Sequence, residues 1–158
     1  MRNTLVLNTL LLNTLVLLIG LILINGSAFA QPAKTLNTKS GLSYMTGGIG
    51  EEDATIMRAN AKKFTLNLVF SEGTSGQSVT DINVNIYNEQ SETVFRIVGS
   101  KPILYVNLPA GTYTILANNN GQKLRHKFTI QESVNQKIIL NWKDTLIEQD
   151  MPLDAEGN

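Results

Sequence analysis

The chain of 158 residues has no cysteine, one histidine, one tryptophan and four prolines. Without cysteine there is no disulfide, no thiolate metal site and no lipid-bearing N-terminal cysteine, so an apolar core must supply the stability. A single histidine also excludes a centre built from several imidazoles. Charge of one sign is lacking too: 13 basic residues stand against 13 acidic. Nucleic acids and anionic membranes reward a strongly basic surface, so neither is an expected partner.

What is present begins with an export address. Arg2 supplies a positive charge, residues 15–24 form the apolar run LVLLIGLILI, and Ala28 and Ala30 follow in SAFA. This is the charged, apolar and A-x-A order of a secretory signal peptide over residues 1–30, with cleavage expected after Ala30. The alternative is an uncleaved anchor, because residues 5–24 have the roughly 20-residue length a bilayer requires. Asn8, Thr9, Asn13 and Thr14 interrupt that span, however. In the cleaved case the membrane is met only during export. Cleavage removes Arg2 alone among the charges and leaves 12 basic residues against 13 acidic.

Residues 31–48 are polar and read as a flexible linker. Residues 49–63 read as a short helix, with Glu51, Glu52 and Asp53 in its first turn and Lys62 and Lys63 in its last, both suited to the helix dipole. From Phe64 the apolar period changes to two. FTLNLVF, INVNIY, TVFRIV, ILYVNL, TYTILA, QKLRHKFTI and KIILNW are seven short alternating runs separated by turn signals. That spacing predicts a mainly β domain over 64–142, a seven-stranded antiparallel Greek-key β-sandwich preceded by one short helix. Asn120-Gly121 predicts a type I′ hairpin turn. Trp142 is expected in the core. Residues 143–158 carry Asp144, Glu148, Asp150, Asp154 and Glu156 with few apolar anchors and are expected to be a mobile acidic tail.

VNLPAGTYTILANNNGQKLRHKFTI, residues 106–130, resembles the carboxypeptidase regulatory-like family of transthyretin-like β-sandwich domains. The matching positions are Leu108, Pro109, Gly111, Tyr113, Ile115 and Gly121. Pro109 sets one turn dihedral, Gly111 frees another, and Tyr113 starts the next strand facing the core. The wider chain is similar to small exported proteins of Gram-negative bacteria. The resemblance implies the sandwich fold and a periplasmic or secreted location; it implies no activity, since sandwiches host many roles. Transthyretin-like hydrolases of purine breakdown depend on several histidines, so their chemistry does not carry over. Some related adhesin folds join a Lys to an Asn beside a buried carboxylate. Lys63 and Asn141 have the residue types, but no apolar-flanked acid accompanies them.

Three motifs bear on chemistry. TGGIGEED, residues 46–53, has the glycines of a phosphate loop. A Walker loop then needs Lys and Ser or Thr, where Glu51 and Glu52 stand, and a dinucleotide fingerprint needs a preceding strand. Three acids would also repel a phosphate. The stretch reads as a hinge ending in a helix start capped by Gly50. His126 alternates with Leu124, Phe128 and Ile130 and, being alone, reads as a packed or edge residue. No nucleophile sits in a G-x-S-x-G elbow to pair with it. Glu89 and Glu92 fall in a turn and form no paired-carboxylate site. Lys123, Arg125 and Lys127 line the outward face of one strand. They are a candidate anion-contact face, or else a solvated guard on an edge strand. With no catalytic, metal or cofactor residues to assign, the expectation is a non-catalytic binding or structural module with a protein or cell-envelope partner. An accessory piece of a surface or pilus-like assembly, or a hydrolase using His126, are the alternatives.

Overall fold

The computed structural model describes residues 32–143. The expected signal peptide, its expected cleavage after Ala30 and the expected mobile tail over 143–158 fall, but for Lys143, outside the described residues. In chain order the elements are β1 (Leu36–Asn37), β2 (Ser43–Gly47), α1 (Glu51–Asn60) running into a 3₁₀ turn (Ala61–Lys63), β3 (Leu66–Glu72), β4 (Gln77–Ser78), β5 (Ile82–Tyr87), β6 (Thr93–Ser100), β7 (Ile103–Val106), β8 (Gly111–Asn119), β9 (Gln122–Ile130) and β10 (Gln136–Trp142).

The strands form two sheets. The larger has the order β1-β2-β7-β3-β10, with β4 on the end of β3, and the smaller has the order β6-β5-β8-β9. The mainly β expectation and the single short helix hold. All seven alternating runs are strands, but β1, β2 and β4 join them, so the described residues hold ten strands rather than seven. The arrangement is also not wholly antiparallel, because β10 lies parallel to β3. The reason is a matter of parity. Each of the seven long runs reverses the chain, so the first and the seventh point the same way. Placed side by side, they must pair in parallel.

Alternation decides what the sheets bury. Leu66, Leu68 and Phe70 of β3, Ile82, Val84 and Ile86 of β5, and Tyr113, Ile115 and Ala117 of β8 meet in the main core. Each large side chain so buried contributes about 1.5–3 kcal/mol. Tyr44 and Phe95, with ring centroids 5.4 Å apart, help to close the core where β2 faces β6. Trp142 is in the core as expected, 6.3 Å from Phe70 between ring centroids, and its indole N–H donates to Gln122 O.

A second, smaller core lies on the other side of the larger sheet. There Met57 of α1 and Phe64 pack against Met45 and Tyr105. This packing overturns the linker expectation for residues 31–48: Ser43–Gly47 is a strand paired with β7, and Met45 and Gly47 are buried. Its polar composition is deceptive, because Thr46 Oγ1 donates to Ile103 O at 3.1 Å and accepts the Lys101 N–H at 3.0 Å.

Candidate functional site

The glycine-rich stretch is preceded by a strand after all. Strand β2, the turn at Gly47 to Gly50 and helix α1 have the strand–turn–helix order of a phosphate loop. The anion in that turn, however, is the protein's own. Asp53 Oδ2 accepts the Gly48 N–H at 2.7 Å and the Ile49 N–H at 3.2 Å, while Oδ1 accepts the Ala33 N–H at 2.8 Å. Lys101 Nζ stands 3.9 Å from Oδ2. Burial pushes the carboxyl up, but the amides of Ala33, Ile49 and Gly48, then the Lys101 charge, outweigh it and hold Asp53 below its ordinary value. The turn is therefore a filled anion cradle and not a hinge. Gly50 caps the helix through its backbone at φ 80°, without a side-chain bond.

The remaining candidates gather on the small sheet. Lys123, Arg125 and Lys127 all lie on β9, the last strand of that sheet, and all are exposed. The β8–β9 register places them opposite Asn118, Leu116 and Thr114. Those three residues point away from the core, so the basic stripe is on the outer face as expected. The hairpin that sets this register turns at Asn120 and Gly121, both at positive φ, as a type I′ turn requires.

The register also extends the stripe across the sheet. Arg96 lies opposite Asn85, Asn85 opposite Leu116, and Leu116 opposite Arg125. Arg96, Asn85, Leu116 and Arg125 thus form one row over four strands. The next row runs from Tyr87 through Thr114 to Lys127. A cavity of about 260 Å³ opens between these rows, lined by Tyr87, Asn88, Ser91, Thr114, Leu116 and Arg125. The four strands carry no Asp or Glu at all. Among the described residues the ion pairs are Arg58–Glu51 and Lys101–Asp53, neither of them on this face. Among the described residues its cations have no carboxylate partner. Arg96 and the lining residues escape single-strand reading, and the absence of acid does not find them, because β1, β2, β4, β7 and β10 lack it as well.

His126 shares the inward side of β9, opposite Ile115, yet it is exposed. An edge strand leaves that side uncovered. No hydrogen bond joins His126 to another side chain among the described residues, and no group of three or more His, Asp or Glu there has metal-binding placement. Glu92 is engaged in its own turn, where Oε2 accepts from Asn88 Nδ2 at 2.7 Å. Lys63 bonds Asn60, whereas Asn141 bonds Ser71 and Gly73, so these two residues are not brought together.

Residues 63–141, which span β3 through β10, match the Rhizobiales growth-associated tandem repeat domain. The chain belongs to this family. The repeat domain so defined holds both rows of the basic face, while β1, β2 and α1, with the Asp53 cradle, precede it. No curated protein matches the chain.

Proposed function

We propose that the chain is a non-catalytic, exported β-sandwich module that works in the periplasm by binding or structural association, through the outer face of its small sheet. The observation that carries this reading is the row Arg96–Asn85–Leu116–Arg125 on a sheet whose four strands have no carboxylate. A guard against edge aggregation also places charge on edge strands, and β6 and β9 are the two edges of this sheet. What a guard does not require is that Arg96 and Arg125 share one row across the outer face, beside a cavity. Such a surface receives carboxylates or phosphates presented by a protein or another cell-envelope component, with charge complementarity setting orientation and encounter rate.

The finer fold reading belongs to the same proposal. A transthyretin-like Greek key is supported by the Leu108–Tyr113 turn, in which Tyr113 is buried and its hydroxyl donates to Pro109 O at 3.0 Å. The family's description as a tandem repeat domain suits a module whose work is association. An accessory role in a surface or pilus-like assembly is the second reading. It is favoured by β9 and β10, which lie next to each other in sequence and, among the described residues, end their respective sheets. A hydrolase centred on His126 has no geometric support.

The test is retention of the exported protein on isolated cell envelopes at low and high salt. The reading expects salt-sensitive retention. Equal partitioning into the soluble fraction at both salt concentrations would contradict it.

A further inference from the structure

The cavity of about 260 Å³ on the outer face is built by three neighbouring strands and one turn. Thr114 and Leu116 stand on β8, between Tyr87 of β5 and Arg125 of β9. Tyr87 lies directly across from Thr114, and Arg125 directly across from Leu116. The phenol and the guanidinium therefore flank β8 from strands two spacings apart, about 10 Å. Asn88 and Ser91, from the turn between β5 and β6, complete the lining.

This lining combines one cation with neutral donors. Arg125 offers a planar fork that takes a carboxylate through two parallel hydrogen bonds. Among the described residues, the hydroxyls of Tyr87, Ser91 and Thr114 enter no side-chain hydrogen bond. Elsewhere on the outer face Thr112 is engaged by Thr129, and Asn88 is tied to Glu92 by two bonds. Tyr87 and Leu116 are half-buried and add apolar surface beside the three hydroxyls. A lone carboxylate needs only Arg125. Hydroxyls next to an aromatic ring and an aliphatic side chain suit a saccharide ring, which has hydroxyls on its rim and C–H groups on its faces.

Size and charge narrow the ligand further. The volume falls just below the range of about 300–1,000 Å³ for small-ligand pockets, and so holds one ring and not several. The turn beside the cavity carries Glu89 and Glu92, both exposed. Two acids at that end disfavour a dianionic phosphate more than a singly charged carboxylate aimed at Arg125. Lys127, opposite Thr114, and Arg96, at the far end of the Leu116 row, stand outside the cavity. They are placed to meet further carboxylates of a longer chain. We infer, resting on the binding reading above, that the cavity takes one carboxylate-bearing sugar unit of a glycan. Arg125 receives the carboxylate, and Tyr87, Ser91 and Thr114 bond the ring hydroxyls.

Titration calorimetry of the exported protein at low salt tests this with three probes: a galacturonate hexamer, an end-capped hexaglutamate peptide of the same charge and a neutral glucose hexamer. The galacturonate hexamer is expected to bind at least about tenfold more tightly than hexaglutamate, because hydroxyl contacts add to the charge. The glucose hexamer should bind more weakly than galacturonate. Thr114→Val keeps the shape of the side chain and should cut the preference for galacturonate over glutamate about fivefold, the effect of one neutral hydrogen bond. Arg125→Gln should weaken galacturonate binding at least about tenfold, as for a lost charged pair. Both side chains point outward, so circular dichroism of the two variants should match native. Equal affinity for the two acids, an unchanged preference in Thr114→Val, or no binding of the galacturonate hexamer would overturn the sugar assignment. So would glucose hexamer binding as tight as that of galacturonate. None of these outcomes touches the envelope reading, which salt-sensitive retention decides separately.

Discussion

Asp53 Oδ2 lies 2.7 Å from the Gly48 nitrogen, five positions back along the chain. That one contact separates two readings of the same glycines. Backbone N–H groups at the start of a helix draw an anion, and here the third residue of the helix supplies it. The cradle then becomes a clasp, tying α1 to the end of β2 and, through Ala33, to the segment before β1.

Removing the clasp should cost stability. Asp53→Ala is expected to destabilise the domain by about 2–3 kcal/mol, the range for losing a charged acceptor from several part-buried hydrogen bonds. Asp53→Asn keeps one acceptor oxygen and should cost less. Urea denaturation of the two variants at neutral pH checks the order.

The same carboxylate sets a pH dependence. Its folded pKa is depressed, so its contribution is complete above the unfolded value of about 3.9 and is lost as the pH falls through the folded value. The stability gap between the native protein and Asp53→Asn should therefore be constant from pH 7 to about pH 5 and shrink below about pH 4. A gap that widened on acidification would contradict the clasp.

Gly47 and Gly50 have different jobs in that turn. A Cβ at Gly47 would stand 2.7 Å from Ala33 Cβ and 2.9 Å from both Asp53 Oδ2 and Met57 Cγ. At Gly50 it would meet nothing, and only the φ of +80° resists substitution. Gly47→Ala should cost about 2–3 kcal/mol through overpacking, and Gly50→Ala about 1 kcal/mol through left-handed strain. Thermal melts of the pair would show the order.

The turn at Pro109–Gly111 sets the register of β8. Tyr113 is 8% exposed and stacks at a tilt on Phe128, with centroids 5.7 Å apart. Tyr113→Ala should cost about 3–5 kcal/mol. Tyr113→Phe, which loses only the bond to Pro109 O, should cost about 1 kcal/mol. Thr112→Ala and Thr114→Ala, which point outward, should each cost under about 1 kcal/mol. Urea melts of these variants that placed either threonine above the Tyr113→Ala loss would shift the outward assignment of Lys127 and Arg125 by one residue.

The mainly β fold was legible because period-two alternation survives in each long strand; INVNIY and TYTILA announce their buried faces without help. Strand β2 was not legible. SYMTG has one aliphatic residue, and its Thr46 is satisfied by Ser100, Lys101 and Ile103, residues more than fifty positions away. Composition cannot anticipate such partners. The parallel pairing of β10 with β3 was implicit in the count of reversals but needed the knowledge that these two are neighbours. On the site, Lys123, Arg125 and Lys127 could be read from one strand. Arg96 could not, because the β5–β6 ladder slips between Ile82 and Val84, and only the observed register sets Arg96 opposite Asn85.

In the proposed function the basic face of the small sheet, and not His126, does the binding. It is tested most directly by envelope retention of three proteins at one low salt concentration: native, Arg96→Glu/Arg125→Glu and His126→Ala. All four strands keep their inward side chains in the double arginine variant, so its circular dichroism and melting should remain close to native. Retention is expected to fall at least about tenfold for the double arginine variant, through like-charge repulsion of an anionic partner, and to stay unchanged for His126→Ala. Native-like retention of Arg96→Glu/Arg125→Glu, or its loss in a folded His126→Ala protein, would contradict it.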